Sequence, residues 1–354
     1  MFWITPDTMW SRTPIRLSFR RLAIFSDKPL PDRLTHKPSH WPHFHILLVT
    51  PPLSGWSCSP MNAETTSTLS FSQPTLSVGQ SATLACLLEI SAPKPGNVHR
   101  GADFEDAGFV DFAASAVAIG PTVERANDVG VGATALAAIQ ATRTVTRTNT
   151  NLGTVLLLAP LAAIGSARPT SQRVATVLDS LTAEDARDVY QAIRLAQAGG
   201  LGEVAKLDVR DAPPQDLLQA MAAAAGRDLV ARQYVNGLHD VFELIVPALL
   251  EGIQSGWTLN TSIIHTQLLA MSRHSDSLVL RKCGPAIADQ LAARAGAILE
   301  HSNPTSPAYI QDLADLDFWM RSDGHRRNPG TTADLIAAGL FILIRDGRLR
   351  APFS

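Results

Sequence analysis

Four polar segments of the chain carry the residue types that do chemistry. The first is Pro93-Lys94-Pro95-Gly96-Asn97-Val98-His99-Arg100-Gly101-Ala102-Asp103. Its prolines stiffen it and its glycines let backbone N–H groups approach a ligand closely. Lys94, His99 and Arg100 can face phosphates, and Asp103, Glu105 and Asp106 can hold Mg²⁺. The plainer reading is a helix-to-helix turn with solvated charges. The second segment, Arg147-Thr148-Asn149-Thr150-Asn151-Leu152-Gly153, precedes a strongly apolar stretch. Two Asn and two Thr at the positive end of a helix suit an anion or a hydroxyl, and Thr150 or Asn151 also suits an N-cap.

The third segment runs from Arg273 to Gly284, where Asp276 stands among cationic groups. That placement suits a metal ligand or a general base. It equally suits a cap at Ser275 or Asp276, followed by a basic last turn. The fourth is Arg326-Arg327-Asn328-Pro329-Gly330-Thr331-Thr332-Ala333-Asp334. Gly-Thr-Thr opening a helix behind two arginines resembles a phosphate cradle, or an exposed basic turn; P-loop spacing is absent. Asp228 and Gln233 could face the same cleft or decorate a helix. His239 and His265 sit on helical stretches, where a lone His is more often structural than a ligand. No Ser-His-Asp order, H-E-x-x-H or G-x-S-x-G pattern occurs.

The elements that must position these segments read as helices. Ser77 caps a stretch to Ile90 with Ala82, Ala85 and Leu88 on one face and Cys86 and Glu89 at its edge. A helix from Phe109 to Ile119 should stop at Gly120-Pro121. Val131–Val145 is rich in Ala, and 154–164 is apolar enough to lie in the centre. Thr182-Ala-Glu-Asp185 resembles a capping box opening a helix to Gly199-Gly200. Pro213 or Pro214 should start another. Further helices are expected at 226–235, 238–254, 259–272, 285–299, 306–320 and 331–343. Alternating Val/Ile/Thr runs are missing apart from the ambiguous Thr144–Thr148, and no repeat is visible. The expectation is all-α: a single compact multi-helix domain of about a dozen helices over 76–348, behind a disordered N-terminal extension, 1–75.

Composition narrows the class. Hydrophobic residues form 45% and charged residues 18% of 354, so a large core is available. A formal charge of −2 offers no whole-protein pull toward nucleic acid or anionic membrane. The longest apolar stretch, from Leu152 to Ala167, is interrupted by Gly153, Pro160 and Gly165, which argues against a membrane span. Cys58, Cys86 and Cys283 are widely separated, which disfavours a disulfide framework or zinc site and fits the cytoplasm. Residues 1–60 hold nine of the 23 prolines and seven Lys/Arg against three Asp. They lack a signal-peptide core, and read as an extension translated upstream of a start at Met61 in preference to a His40/His43/His45 metal tract. Ala-rich helices such as 217–225 can pack within or between chains, which leaves a homodimer open.

In combination the segments resemble the triphosphoribosyl-dephospho-CoA synthase family. The resemblance rests on Pro93–Val98, Thr148–Gly153, Gly200-Leu201-Gly202 leading to Asp208-Val209, Arg227–Tyr234, Asp276–Gly284 and Asn328–Leu335, in family order across residues 80–343. It implies an all-helical pentosyltransferase in which the 2′-hydroxyl of 3′-dephospho-CoA attacks the ribosyl C1 of ATP and adenine leaves. The product is the precursor of the prosthetic group of citrate lyase and malonate decarboxylase acyl carriers. On that basis Asp103, Asp276 and Asn149 are the catalytic candidates. Lys94, Gly96, Asn97, Arg100, Asn151, Arg281, Arg326, Arg327, Asn328, Gly330 and Thr331 are the nucleotide and phosphate candidates. Asp103, Asp106 and Asp276 are the Mg²⁺ candidates. Many family members have Thr-His-Lys-Gly where this chain has Thr150-Asn151-Leu152-Gly153, which marks a divergent branch. The competing expectations are ribosyl transfer to a folate- or pterin-like acceptor, a Mg²⁺-dependent nucleotide or ADP-ribosyl hydrolase, and a non-catalytic binding protein.

Overall fold

The computed structural model describes residues 76–197 and 212–353. The expected extension 1–75, the Gly199-Gly200 stop and the Gly200–Val209 motif lie outside them. Helix α1 (Val78–Ser91) is opened by a capping box between Ser77 and Gln80. It is followed by α2 (Phe109–Glu124), the single turn α3 (Ala126–Val129), α4 (Val131–Val145) and α5 (Leu152–Ala163). Next come α6 (Ser171–Asp179), α7 (Ala183–Ala196), α8 (Leu217–Ala224) and α9 (Leu229–Asn236). A π-turn at Val241–Ile245 leads into α10 (Val246–Gln254), followed by α11 (Leu259–Arg273), α12 (Ser277–Cys283) and α13 (Pro285–Leu299). The chain closes with α14 (Pro307–Arg321), the short strand β1 (Ser322–His325) and α15 (Gly330–Arg345). The all-α expectation holds, with β1 the one extended exception among the described residues.

Two helices make the centre. Every residue from Leu335 to Ile344 of α15 is buried, and so is nearly all of α5, as an apolar period on all sides requires. α15 packs on α1, α5, α10 and α11. A second, smaller apolar cluster joins α11, α12, α13 and α14 around Leu268, Leu291 and Tyr309. Among the described residues no helix is long and apolar enough to cross a membrane.

Several boundaries differ from expectation. The helix expected from 226 starts at Leu229, behind its cap Asp228, and the one expected over 238–254 opens with the π-turn. Three others differ for local reasons. α2 runs through Gly120-Pro121 to Glu124, because α1 and α2 meet there without side chains: a Cβ on Gly79 would overlap the Gly120 carbonyl. Glu124 then accepts from Ser77 Oγ at 2.5 Å and Gly79 N at 2.6 Å, so the extra turn is anchored to the start of α1. α8 starts at Leu217 and not at the prolines, since Asp216 accepts from Gln219 N and supplies the cap. α7 has the anticipated capping box but ends at Ala196, with Gln197 left-handed at φ 50°. Helix α6, capped by Thr170, was not anticipated: its apolar face is short, with Val174 and Leu178 buried. Thr144 and Val145 finish α4, and Thr146 is its extended cap.

Candidate active site

All four polar segments are drawn together by side-chain clamps. Asn97 Nδ2 donates to Asn328 Oδ1 at 2.7 Å, and Gln267 Nε2 of α11 donates to Asn97 Oδ1 at 2.6 Å. Those contacts tie the first segment to the fourth. Asp276 ties the third to the fourth: its Oδ1 accepts from Leu278 N and Val279 N, and its Oδ2 from Thr332 N at 2.7 Å and Thr332 Oγ1 at 2.8 Å. The second segment is tied to α15 by Thr154 Oγ1, which donates to Asp334 Oδ1 at 2.5 Å.

These clamps surround a cavity of about 590 Å³, within the range of small-molecule sites. Its polar wall carries Asn97, Asp106, Asn149, Asn151, Arg281, Asn328, Gly330 and Thr331, which brings eight of the sequence candidates to one surface. Its apolar wall is built by Tyr190 and Ile193 of α7, Ala220 and Met221 of α8, and Val230 and Ala231 of α9. Asn149 Oδ1 accepts from Leu152 N at 3.1 Å and so closes the first turn of α5, while Asn151 exchanges hydrogen bonds with Thr142. Arg281 pairs with Asp228 at 2.5 Å, and the other carboxylate oxygen of Asp228 caps α9. Asp106 reaches His325 at 3.7 Å, and Phe104 stacks on the same imidazole at 5.1 Å between centroids.

The remaining candidates are held elsewhere. Lys94 is fully buried; its ammonium donates to the Glu89 carbonyl at 2.6 Å and pairs with the Glu89 carboxylate at 2.8 Å, closing α1. Gly96, at φ 73°, donates to Asp317 and packs where a Cβ would overlap Met320. Asp103 accepts from Phe109 N at 2.7 Å, and Arg100 lies over the Phe109 ring. Arg326 donates to the Lys282 carbonyl and faces Asp323; Arg327 lies over the Trp319 ring and donates to its carbonyl. Asp276 is 1% exposed, and burial pushes its carboxyl above the ordinary range. With four donors on its two oxygens it behaves as a cap and clamp, the plainer of its two readings. Asp103, Asp106 and Asp276 therefore do not converge, and among the described residues no three His, Cys, Asp or Glu side chains form a metal-binding group. Gln233 is buried against Asp240, and His265 lies between Trp257 and Tyr309.

Residues 75–352 match the CitG family, ATP:dephospho-CoA triphosphoribosyl transferase. The chain belongs to this family. It is therefore a transferase of cofactor biosynthesis, of the pentosyltransferase class. The fold is also that of a crystal structure assigned as a triphosphoribosyl-dephospho-CoA synthase from Archaeoglobus fulgidus, with 25% identity and a TM-score of 0.54. That alignment covers 68% of this chain and 99% of the other. No curated protein matches the chain.

For a triphosphoribosyl transferase the wall holds several charged groups that sequence spacing did not single out. Lys282 lines the cavity; burial lowers its pKa, and its ammonium has no hydrogen-bond or ion-pair partner among the described residues. Arg147 and Arg227 stand exposed at the same surface. Glu89 of α1 and Asp334 of α15 supply carboxylates to the lining from two helices that pack on each other. Burial, against the opposing hydrogen bond from Thr154 and with Glu89 and Asp276 nearby, pushes the Asp334 carboxyl up to about 8. The Cys86 thiol next to them is pushed up by burial, then by Glu89 and Asp334. Lys282, Arg147 and Asp334 lay inside the polar segments, but Glu89 read as the edge of an apolar face.

Proposed function

We propose that this family member moves the 5-triphosphoribosyl group of ATP to the 2′-hydroxyl of 3′-dephospho-CoA and releases adenine. The observation that carries the reading is the mixed lining of the cavity. Its first component is cationic and polar, with Arg147, Arg227, Arg281 and Lys282 beside Asn and Thr side chains and helix starts, and its second is apolar, from α7, α8 and α9. A triphosphate asks for the first, and a purine or a pantetheine arm packs on the second. Asn149 and Asn151, at the start of α5, suit the ribose hydroxyls. The C1–N9 bond breaks with its electron pair leaving on adenine, and the C1–O bond to the acceptor forms. Positive charge on the ribose in between is stabilised by a carboxylate at the wall.

Mg²⁺ belongs to this reading as an ion carried in by the triphosphate, since among the described residues no three acidic or other ligating side chains form a metal-binding group. The widely spaced cysteines, with Cys86 and Cys283 unpaired, support a cytoplasmic setting. The test uses the full chain with ATP, Mg²⁺ and 3′-dephospho-CoA, and measures adenine by chromatography. Adenine appearing only with the acceptor, beside a conjugate of matching mass, is the expected result. Free ribose triphosphate without a conjugate would replace transfer by hydrolysis. No adenine, with a thermal midpoint still raised by ATP, would replace the acceptor.

A further inference from the structure

Among the described residues four carboxylates line the cavity, and three of them face a basic partner. Glu89 is paired with Lys94 at 2.8 Å, Asp228 with Arg281 at 2.5 Å, and Asp106 with His325 at 3.7 Å. Asp334 has no Lys, Arg or His within ion-pair distance among the described residues; it accepts from the Thr154 hydroxyl at 2.5 Å and is also hydrogen-bonded by the Thr154 backbone N–H. Its position is fixed from two sides. It stands one turn inside α15, whose start is clamped to Asp276 through Thr332. Its Oδ2 lies against Gly153, so closely that a Cβ there would overlap the carboxylate. Thr154 is one helical turn beyond Asn151, so the carboxyl adjoins the stretch placed at the ribose.

Resting on the transfer reading, we infer that Asp334 is the general base that takes the proton from the acceptor hydroxyl. As the acceptor O–H bond breaks, its proton passes to an Asp334 oxygen and the oxygen lone pair forms the bond to the ribosyl C1. The C1–N9 pair leaves on adenine, and adenine takes up one proton as Asp334 gives one back, so the exchange is proton-neutral. The environment supports such a role. The ionisable groups around Asp334 are Glu89 and Cys86 of α1 and Asp276 at the start of α12, all acidic; α5 adds the Thr154 hydroxyl and backbone N–H, which oppose them. Arg281 and Lys282 of α12 share the wall, but Arg281 is held by Asp228. Burial among acids brings the carboxyl to about 8, where the base is strong and still ionises near neutral pH.

The test combines a titration with turnover on the full chain. Carbon-13 carboxyl resonances of labelled Asp are followed with pH in wild type and Asp334→Asn, and adenine release is measured in wild type, Asp334→Asn, Asp334→Glu and Thr154→Val. The expected result is a resonance titrating near 8 that is missing in Asp334→Asn. Turnover in Asp334→Asn falls about 10²–10⁴-fold with the KM for ATP little changed, and Asp334→Glu restores part of it. Thr154→Val, which removes a donor to the ionised form, moves the inflection of the pH–rate curve upward. A carboxyl titrating in the ordinary range, or an Asp334→Asn variant turning over like wild type, overturns the base assignment alone. A wild type that releases no adenine while Asp334 still titrates near 8 removes the transfer reading, and the assignment with it.

Discussion

Asn97 and Asn328, 231 positions apart, share a hydrogen bond of 2.7 Å that closes the polar wall between the first and the last of its loops. The same Asn97 receives Gln267, whose other side-chain atom, Oε1, is buried without a partner. Truncation to Asn97→Ala leaves the Gln267 amide one acceptor short and Asn328 without a donor. A loss of about 1–3 kcal/mol is expected, read as a lower urea midpoint, together with weaker ATP binding.

Asp276 should prove structural. Asp276→Ala strips two N–H groups of α12 and two donors of Thr332 of their acceptor. The expected loss is about 2–4 kcal/mol, from a cap and a buried hydrogen-bond network together. Thermal melting checks it, with and without Mg²⁺. A metal ligand would show a deficit that depends on the ion, whereas a clamp shows the same deficit in both.

Lys282 is the cation best placed to gain a partner from the ligand. Lys282→Met should raise the Kd for ATP about 10-fold or more, as a charge-assisted hydrogen bond to phosphate implies, and Lys282→Arg should recover part of it. Isothermal titration gives both values.

Arg100 and Arg326 make the contrast. Arg326 is directed at Asp323 and a carbonyl, and Arg100 at an aromatic ring. Alanine at either position should leave the ATP Kd within about 2-fold, in keeping with exposed charges that contribute little. A 10-fold loss in the same titration would return them to the site.

Stability should fall toward alkaline pH because of Asp334. The folded carboxyl holds its proton more tightly than the unfolded chain does. Its favourable contribution is complete below the ordinary Asp value, about 4, and is lost as pH rises to about 8. Melting curves between pH 5 and pH 9 should therefore show Asp334→Asn gaining on wild type as pH rises. A constant offset would contradict the raised carboxyl.

The helices were legible in the sequence where caps and apolar periods agreed: α4 and α13 run between the expected residues, and the Thr182 capping box opens α7. The polar loops were legible too, because Gly, Pro and Asn mark turns wherever they cluster. Which way each side chain points was not. Lys94 carries the charge expected of a phosphate ligand, yet a fully buried ammonium requires an anion, and Glu89 lies five residues back to supply it. Asp276 and Asp334 are both acids at helix starts. Four donors from three residues converge on one, and Thr154 alone donates to the other, a difference that arises where α12, α5 and α15 meet.

Among the described residues α15 is the final helix and, with α5, one of the two most enclosed. During synthesis, α1 and α5 must leave the ribosome with the groove that receives it still open to water. Their apolar faces stay exposed until residue 345 has emerged, and so do the loops that Asp276, Asn328 and Asp334 later bring together. The enzyme thus acquires its binding site in a single late docking event, and a nascent chain halted before α15 would be a client for chaperones instead of a partly active protein.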